Sequence, residues 1–454
     1  MPDDNPIESI EGAGPDHGVV VPLRPSAVSG TRRPFLLLQG PVGPFFKDLA
    51  AAFMEAGHSI DRVRFNAADR LHAGPVADRT SARMLDYDQG FDLFAPWLRG
   101  LCWRNHYAGI VMFGGERPAH RVAREIAREF GIPVISLEEG YIRSGYVAVE
   151  RGGNNSRSPY AGRLPEPGLA FLNAEGVEAK GFRWMIWWAF LGFTSRNVRS
   201  FLREKRFDHK RRPTVSEGFY WLRSATRWLR GTGLSEKRAR ALGSFDLVPL
   251  QVPDDAQLGE AACGWTNDAL IAATIESFAR HAPRDRHLVF KVHPLERGHT
   301  RDHKKIASLA RRWGVSARVH CMMTGSLGNM AHAARSMITI NSTSGFSALH
   351  AGKPLLVLGY AIYRHPDLAH CGGDRESIDE FWTATRAAPT GLAARFEQWL
   401  KAVALVPGDF YDPTVAEETA KAIAQRAIEL AEHGEVRLPQ VADASGREGI
   451  QAAS

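Results

Sequence analysis

Short apolar runs, each stopped by a glycine or a polar turn, recur along this chain and leave few folds open to it. Phe35-Leu36-Leu37-Leu38 stops at Gln39-Gly40-Pro41-Val42-Gly43, Gly109–Phe113 at Gly114-Gly115, and Pro133-Val134-Ile135-Ser136-Leu137 at Glu138-Glu139-Gly140. Runs this short and this continuously apolar are the pattern of strands covered on both faces of a parallel sheet. Helical patterning over 46–56 and 119–130 separates them, with a further strand-like run at 60–65. Strand and helix alternating at this spacing predict a doubly wound α/β unit. The pattern begins again after about residue 244. Strands are predicted at 247–252, 287–292, 317–320, 336–340 and 354–358, with helices at 270–281 and 415–433. The fold class expected is therefore α/β of the GT-B type: two Rossmann-like halves facing a cleft, with ligands at the carboxyl ends of the strands.

A length of 454 residues fits two such halves. The expected divisions are a disordered tail over 1–32, a first Rossmann-like half over 33–180 and a helical insertion over 181–243. A second half over 244–412, a closing helix over 413–435 and a disordered tail over 436–454 follow. The opening MPDDNPIESIEGAGPDHG is acidic and lacks the apolar core of a secretory leader. The longest apolar run, 184–193, is too short to span a bilayer, so a cytoplasmic protein is expected unless something tethers it. Cys102, Cys263, Cys321 and Cys371 lie far apart with no metal-ligand spacing, so no metal site is expected.

The insertion differs in character from both halves. Between positions 196 and 240 stand 14 Lys and Arg against 4 Asp and Glu, a net of +10 in a chain whose total is +7. Trp184, Trp187, Trp188 and Leu191 fall on one predicted helical face, as do Trp221, Ala225, Trp228 and Leu229. One reading is a pair of domain-packing helices with a solvated basic face. The other is a membrane-surface arm, with Trp187 and Trp188 at the interface and Arg199, Arg203, Arg206, Arg211 and Arg212 on anionic headgroups. Nucleic acid would need the same charge, but no binding motif accompanies it, and none is expected as a partner.

Four polar clusters stand at predicted strand ends. Gln39, Gly40 and Gly43 form a turn whose glycines let backbone approach a ligand, ahead of a helix N-terminus. Glu138-Glu139-Gly140-Tyr141-Ile142-Arg143 places two acids at a strand end, where one can act as base or nucleophile and Arg143 can orient the other. An exposed acidic turn is the plain alternative. Beyond it Glu150-Arg151-Gly152-Gly153-Asn154-Asn155 is a candidate edge of the acceptor or sugar pocket. Lys291-Val292-His293-Pro294 offers a histidine to a phosphate or base carbonyl, with the proline halting the strand. Asn341-Ser342-Thr343-Ser344-Gly345 gathers hydroxyls and amides that suit a phosphate, and equally an ordinary helix cap.

In this order, and split over two halves, the acid-acid-Gly, His-Pro and Ser/Thr clusters resemble the signature of bacterial CMP-sugar transferases, several sialyltransferase families included. QGPVGPFF, LEEGYIR, ERGGNNSRSP, PLQVPDDAQ, KVHPLERG and INSTSGFSALHAGKPLLVLGYAIY further resemble the KpsS/LipB family of capsular polysaccharide biosynthesis proteins, from about Pro34 to about Ala361. That resemblance implies a β-Kdo transferase taking Kdo from CMP-Kdo to a phosphatidylglycerol-type lipid, at the inner face of the cytoplasmic membrane. It implies that His293, Ser342, Thr343 and Ser344 hold the cytidine phosphate with Lys291 and Gln251 nearby, and that Glu139 supplies the catalytic carboxylate. A linker-extending Kdo transferase and the capsule export machinery are the implied partners. CMP-Kdo carries no diphosphate for a metal to bridge, so neither a strict metal requirement nor a resident cofactor is expected. A transferase for another CMP-nonulosonate, or a non-catalytic export or scaffold protein, is the rival reading.

Overall fold

The computed structural model describes residues 32–73, 81–142, 145–168, 171, 175–199, 207, 234–252, 258–293, 296, 300–383 and 385–434; of 193–199 it describes the backbone. Thirteen strands are found among them, in two sheets. The first comprises β1 (Arg32–Leu37), β2 (His58–Arg64), β3 (Ala82–Asp86), β4 (Gly109–Phe113), β5 (Val134–Glu139), β6 (Tyr146–Arg151) and β13 (Leu405–Pro407), in the order β13-β6-β5-β4-β1-β2-β3. The second comprises β7 (Phe245–Pro249), β8 (His287–Lys291), β9 (Val319–Met322), β10 (Ser336–Thr339), β11 (Leu355–Val357) and β12 (His370–Cys371), in the order β12-β11-β10-β7-β8-β9. All pairings in the second sheet are parallel, as are those of β5-β4-β1-β2-β3 in the first. The apolar runs explain why. Phe35, Leu36, Leu37, Ile110, Val111 and Met112 are buried on both faces, which only a sheet covered by helices on each side allows.

The chain's last third does not stay in the second half. Leu405–Pro407 pairs antiparallel with β6, and the helix Ala416–His433 lies along the helix Phe45–Glu55 of the first half. The expected boundary at 412 therefore falls too late, because β13 is already an edge strand of the first sheet. Phe410, Ala420, Ile423, Ala427 and Leu430 share a core with Phe45, Phe53, Val111 and Ile135. The GT-B layout is completed by this return, two Rossmann-like sheets tied by a C-terminal crossover. The first tail, apart from Arg32 in β1, and the whole of the second lie outside the described residues.

The helix Gly181–Arg199 begins the insertion and packs on the short helix Ala67–Leu71. Among the described residues, no helix is long and apolar enough to cross a membrane. Because the closing helix completes the first core, Ile423→Ala is expected to destabilise the protein by about 2–4 kcal/mol in chemical denaturation. A loss under about 1 kcal/mol would show the helix to be only loosely attached.

Candidate functional site

In each sheet the strand order reverses once, between β1 and β4 in the first and between β7 and β10 in the second. Such a reversal opens a crevice at the carboxyl ends of the strands. In the first sheet Gln39 leaves β1 and Arg117 follows β4. Arg117 Nη1 donates to Gln39 Oε1 and to the Gly40 carbonyl, both at 3.0 Å. The Gln39 amide turns its Nε2 to Asp69 Oδ2 and to the Phe207 carbonyl, each at 3.4 Å. One strand over, β5 ends on Glu138 and Glu139, both half-buried. Tyr411 donates its hydroxyl to Glu139 Oε1 at 3.2 Å, and Glu139 N–H points at Glu138 Oε1 at 3.4 Å. Burial, then the neighbouring charges of Glu139 and Glu138, hold the Tyr411 phenol well above its ordinary range, so it stays a donor. Burial depresses the Arg117 pKa, and Glu138 is the leading charge that opposes the shift. Gly140 is required by packing: a Cβ there would lie 2.3 Å from the Tyr146 carbonyl oxygen, where the chain doubles back into β6.

In the second sheet Gln251 leaves β7 and Asn341 leaves β10, and Gln251 Nε2 donates to Asn341 Oδ1 at 3.1 Å. Ser344 N–H donates to Ser342 Oγ at 3.2 Å, and the amides of Gly345 and Phe346 close turns onto the Ser342 and Thr343 carbonyls. Ser344 Oγ is buried with no hydrogen-bond partner among the described residues. His293 follows β8, the strand beside β7, and is half-buried.

Asn155 joins the two reversals. It is buried with φ +53°, its N–H donates to the Tyr141 hydroxyl at 2.6 Å, and its Oδ1 accepts from Ile362 N–H at 3.0 Å. Its Nδ2 reaches the Asn341 carbonyl at 3.5 Å. Nearby, Arg157 bridges Glu116 of the first half and Glu260 of the second, at 2.7 Å each. Below this seam Glu150, 1 % exposed, accepts from Tyr141, Asn154 and Ser158.

Comparison with known proteins bears on what this crevice serves. Residues 108–411 match the model of a family described as "Capsule polysaccharide biosynthesis protein". The chain belongs to that family. It is 30% identical over 389 residues to the capsule polysaccharide export protein KpsS of Escherichia coli, covering 83% of this chain and 96% of the relative. It is also 30% identical over 397 residues to the capsule polysaccharide modification protein LipB of Neisseria meningitidis serogroup A, covering 83% and 91%. Among solved structures it resembles the β-Kdo 2,7 transferase of Thermosulfurimonas dismutans KpsC, with TM-score 0.40, 14% identity, and coverage of 87% and 99%.

In this capsule biosynthesis protein the expected site residues fall into three groups. Gln39, Gly40, Glu138, Glu139, Asn154, Asn155, Gln251 and Ser342 stand at or beside the two strand-order reversals. Lys291 does not open onto the crevice: it is 3 % exposed and its ammonium donates to the Val292 carbonyl at 3.1 Å. Gly43 serves packing more than a ligand, since it adopts φ +108° and a Cβ there would lie 2.9 Å from the Trp188 ring. Glu150, expected in a polar turn, ends a buried strand instead. Arg143, Pro294, Arg203, Arg206, Arg211 and Arg212 lie outside the described residues, as does the side chain of Arg199.

The single aromatic face expected on the insertion helix is split. Trp184 and Trp188 stack at 6.0 Å, and Trp188 Nε1 donates to the Tyr411 carbonyl at 3.1 Å, so Trp188 holds the helix to the protein. Trp187 and Phe190 stack on the outer side, 50 % and 56 % exposed. Arg117, Asp69 and Tyr411 were not anticipated. Arg117 had a sequence signal, an arginine just after the Gly114-Gly115 strand end; Asp69 and Tyr411 had none, being brought in by tertiary contact.

Burial pushes Glu150 up to about 7, against the pull of its Ser158, Tyr141 and Asn154 donors. An acid raised in the folded state contributes stability that is complete below its unfolded pKa and lost as pH rises through the folded one. Wild-type stability is therefore expected to fall between about pH 4.5 and 7, with Glu150 accounting for on the order of 3 kcal/mol of that fall. Glu150→Gln is expected to flatten the melting temperature over that window. An unchanged pH slope would contradict the assignment.

Proposed function

We propose that this protein is a glycosyltransferase that moves Kdo from CMP-Kdo to a phosphatidylglycerol-type lipid, beginning the β-Kdo linker of capsular glycolipid. The observation that carries the reading is the acid pair Glu138–Glu139 at one strand-order reversal, linked through Asn155 to the polar turn at the other. Membership of the capsule biosynthesis family supports the context, and the LipB relative is by name a modification protein.

In this reading Glu139 attacks the anomeric carbon of Kdo as the bond to the cytidylate phosphate breaks, and the phosphate oxygen keeps the electron pair. His293 and the Ser342–Ser344 turn receive the charge on the departing CMP. The acceptor hydroxyl then attacks the same carbon, Glu139 leaves as carboxylate, and the proton passes to Glu138. Two inversions give net retention. Tyr411 holds the Glu139 oxygen in place throughout. The leaving group bears a single phosphate, so the chemistry needs no strict metal and no resident cofactor.

The exposed Trp187, Phe190 and Phe182, with the basic stretch that follows in sequence, support docking of the insertion on an anionic membrane surface at its cytoplasmic face. The linker-extending transferase and the export machinery are the partners proposed there. Charge-neutral substitution of Arg199, Arg203, Arg206, Arg211 and Arg212 together with Trp187→Ala is expected to abolish sedimentation with phosphatidylglycerol vesicles; unchanged binding would remove the docking role.

The E. coli relative is by name an export protein, which favours a second reading, a non-catalytic scaffold for capsule glycolipid. One experiment separates them. CMP-Kdo generated in situ is offered with short-chain phosphatidylglycerol, and the lipid is weighed by mass spectrometry. A gain of one Kdo is expected, lost in Glu139→Gln and slowed roughly tenfold or more in Tyr411→Phe. Product from CMP-sialic acid alone would reassign the donor. No product from either donor, with capsule intact in cells carrying Glu139→Gln, would favour the scaffold.

A further inference from the structure

Behind the Gln39–Gly43 turn lies a cavity of about 40 Å³, floored by the helix Ala67–Leu71 and roofed by Ala189 and Gly192 of the insertion helix. Arg62 and His72 line it. Arg62 is 4 % exposed, yet it makes no hydrogen bond or ion pair with a described residue, and its Nη1 is buried without a partner. His72, 8 % exposed, likewise has its Nε2 buried and unpartnered, with its ring edge-on to Trp188 at 5.9 Å. A guanidinium left this way is costly, and proteins keep one where an anion completes it.

The nearby carboxylates do not fill that role. Asp48 and Asp69 are the acidic charges Arg62 feels, and Arg64 opposes them. Asp69 is taken up by the amides of Phe65 and Asn66, at 3.0 and 3.3 Å, and by Gln39. Asp69 also balances Arg117, which approaches the same glutamine from its other end. Two guanidinium groups thus share one close carboxylate, and one positive charge is left over beside the cavity.

We infer that Arg62 and His72, under the Gly40–Gly43 turn, form a subsite for a phosphodiester monoanion, the headgroup phosphate of a glycerolipid acceptor. This rests on the proposed lipid acceptor. The placement fits it in two ways. The roof of the cavity belongs to the helix whose outer side exposes Trp187 and Phe190. Gln39 joins the cavity to Arg117, which stands beside Glu138. An acceptor held by its phosphate at Arg62 would therefore have its glycerol hydroxyls toward the acid pair.

The test is calorimetric titration of the full-length protein with glycerophosphoglycerol, the deacylated headgroup, with inorganic phosphate and CMP titrated separately. Glycerophosphoglycerol is expected to bind, and to bind roughly ten- to a hundredfold more weakly to Arg62→Met. Gly192→Ala is expected to weaken it as well, since the added methyl would meet His72 Nε2 at 3.4 Å. Because the unliganded guanidinium lacks a partner, Arg62→Met is also expected to melt above the wild type. A lower melting temperature would mark Arg62 as a structural group and overturn the proposal. Binding of inorganic phosphate but not of glycerophosphoglycerol would overturn the lipid assignment. Binding of CMP without glycerophosphoglycerol would sink this subsite and spare the transferase reading, and the reverse would sink the transferase reading alone.

Discussion

Asn155 carries the join on which the two halves depend. Its left-handed backbone aims the amide at Tyr141 and leaves both side-chain groups free for the second half. Every partner is buried, so none can turn to water instead, and losing any one would leave an unsatisfied polar group in the seam. Asparagine tolerates a positive φ better than other residues with a donor and an acceptor, which is a physical reason for its presence here. Around it, Tyr141 and Phe346 stack across the same boundary at 6.4 Å, and Gly162 N–H bonds the Ile362 carbonyl at 3.1 Å. The seam is thus polar at its centre and apolar at its rim, and it fixes the distance between the two strand-order reversals.

Much of the fold was legible because parallel strands advertise themselves. Runs such as Gly109–Phe113 and His287–Lys291 are uniformly apolar over the strand and broken sharply at its end, and the observed bounds follow. The strands that were missed lack that mark. Ala82–Asp86 reads ARMLD, alternating and half-exposed at the sheet's edge, and Leu405–Pro407 is only three residues long. That second strand pairs with one more than 250 positions earlier, and no local pattern encodes such a partner.

The site was legible in the same measure. Polar residues that stop a strand, Gln39, Glu138 and Asn341, could be placed because the strand places them. Residues delivered by loops and helix ends could not. Tyr411 sits in a turn whose order comes from Asp409, which accepts from the amides of Tyr411 and Asp412 at 2.7 and 2.9 Å. Lys291 shows the converse limit. A strand-end cation in a plausible motif is, in the folded protein, spent on its neighbour's carbonyl, and burial lowers its pKa accordingly. Position along the strand was readable there; the direction of the side chain was not.

One consequence of these contacts links the insertion to the acid pair. Trp188 holds the Tyr411 carbonyl, and the hydroxyl of the same tyrosine holds Glu139. At the start of the helix Lys180 N–H donates to Asp412 Oδ2 at 2.6 Å, and a Cβ on Gly181 would collide with the Asp409 carboxylate. The helix is therefore pinned at two points to the turn that orients Glu139, and its inner and outer sides do different work. The inner side, Trp184 and Trp188, fixes the helix to the catalytic half. The outer side, Trp187 and Phe190, remains available to another surface. A shift of the helix by a fraction of its diameter would move Tyr411 and the Glu139 oxygen with it, because each link in that chain is a hydrogen bond of near-minimal length in a buried setting. Sequence analysis read the tryptophans as one face with one purpose. The geometry divides them into an anchor and a contact, and so places whatever the helix touches two hydrogen bonds away from the carboxylate.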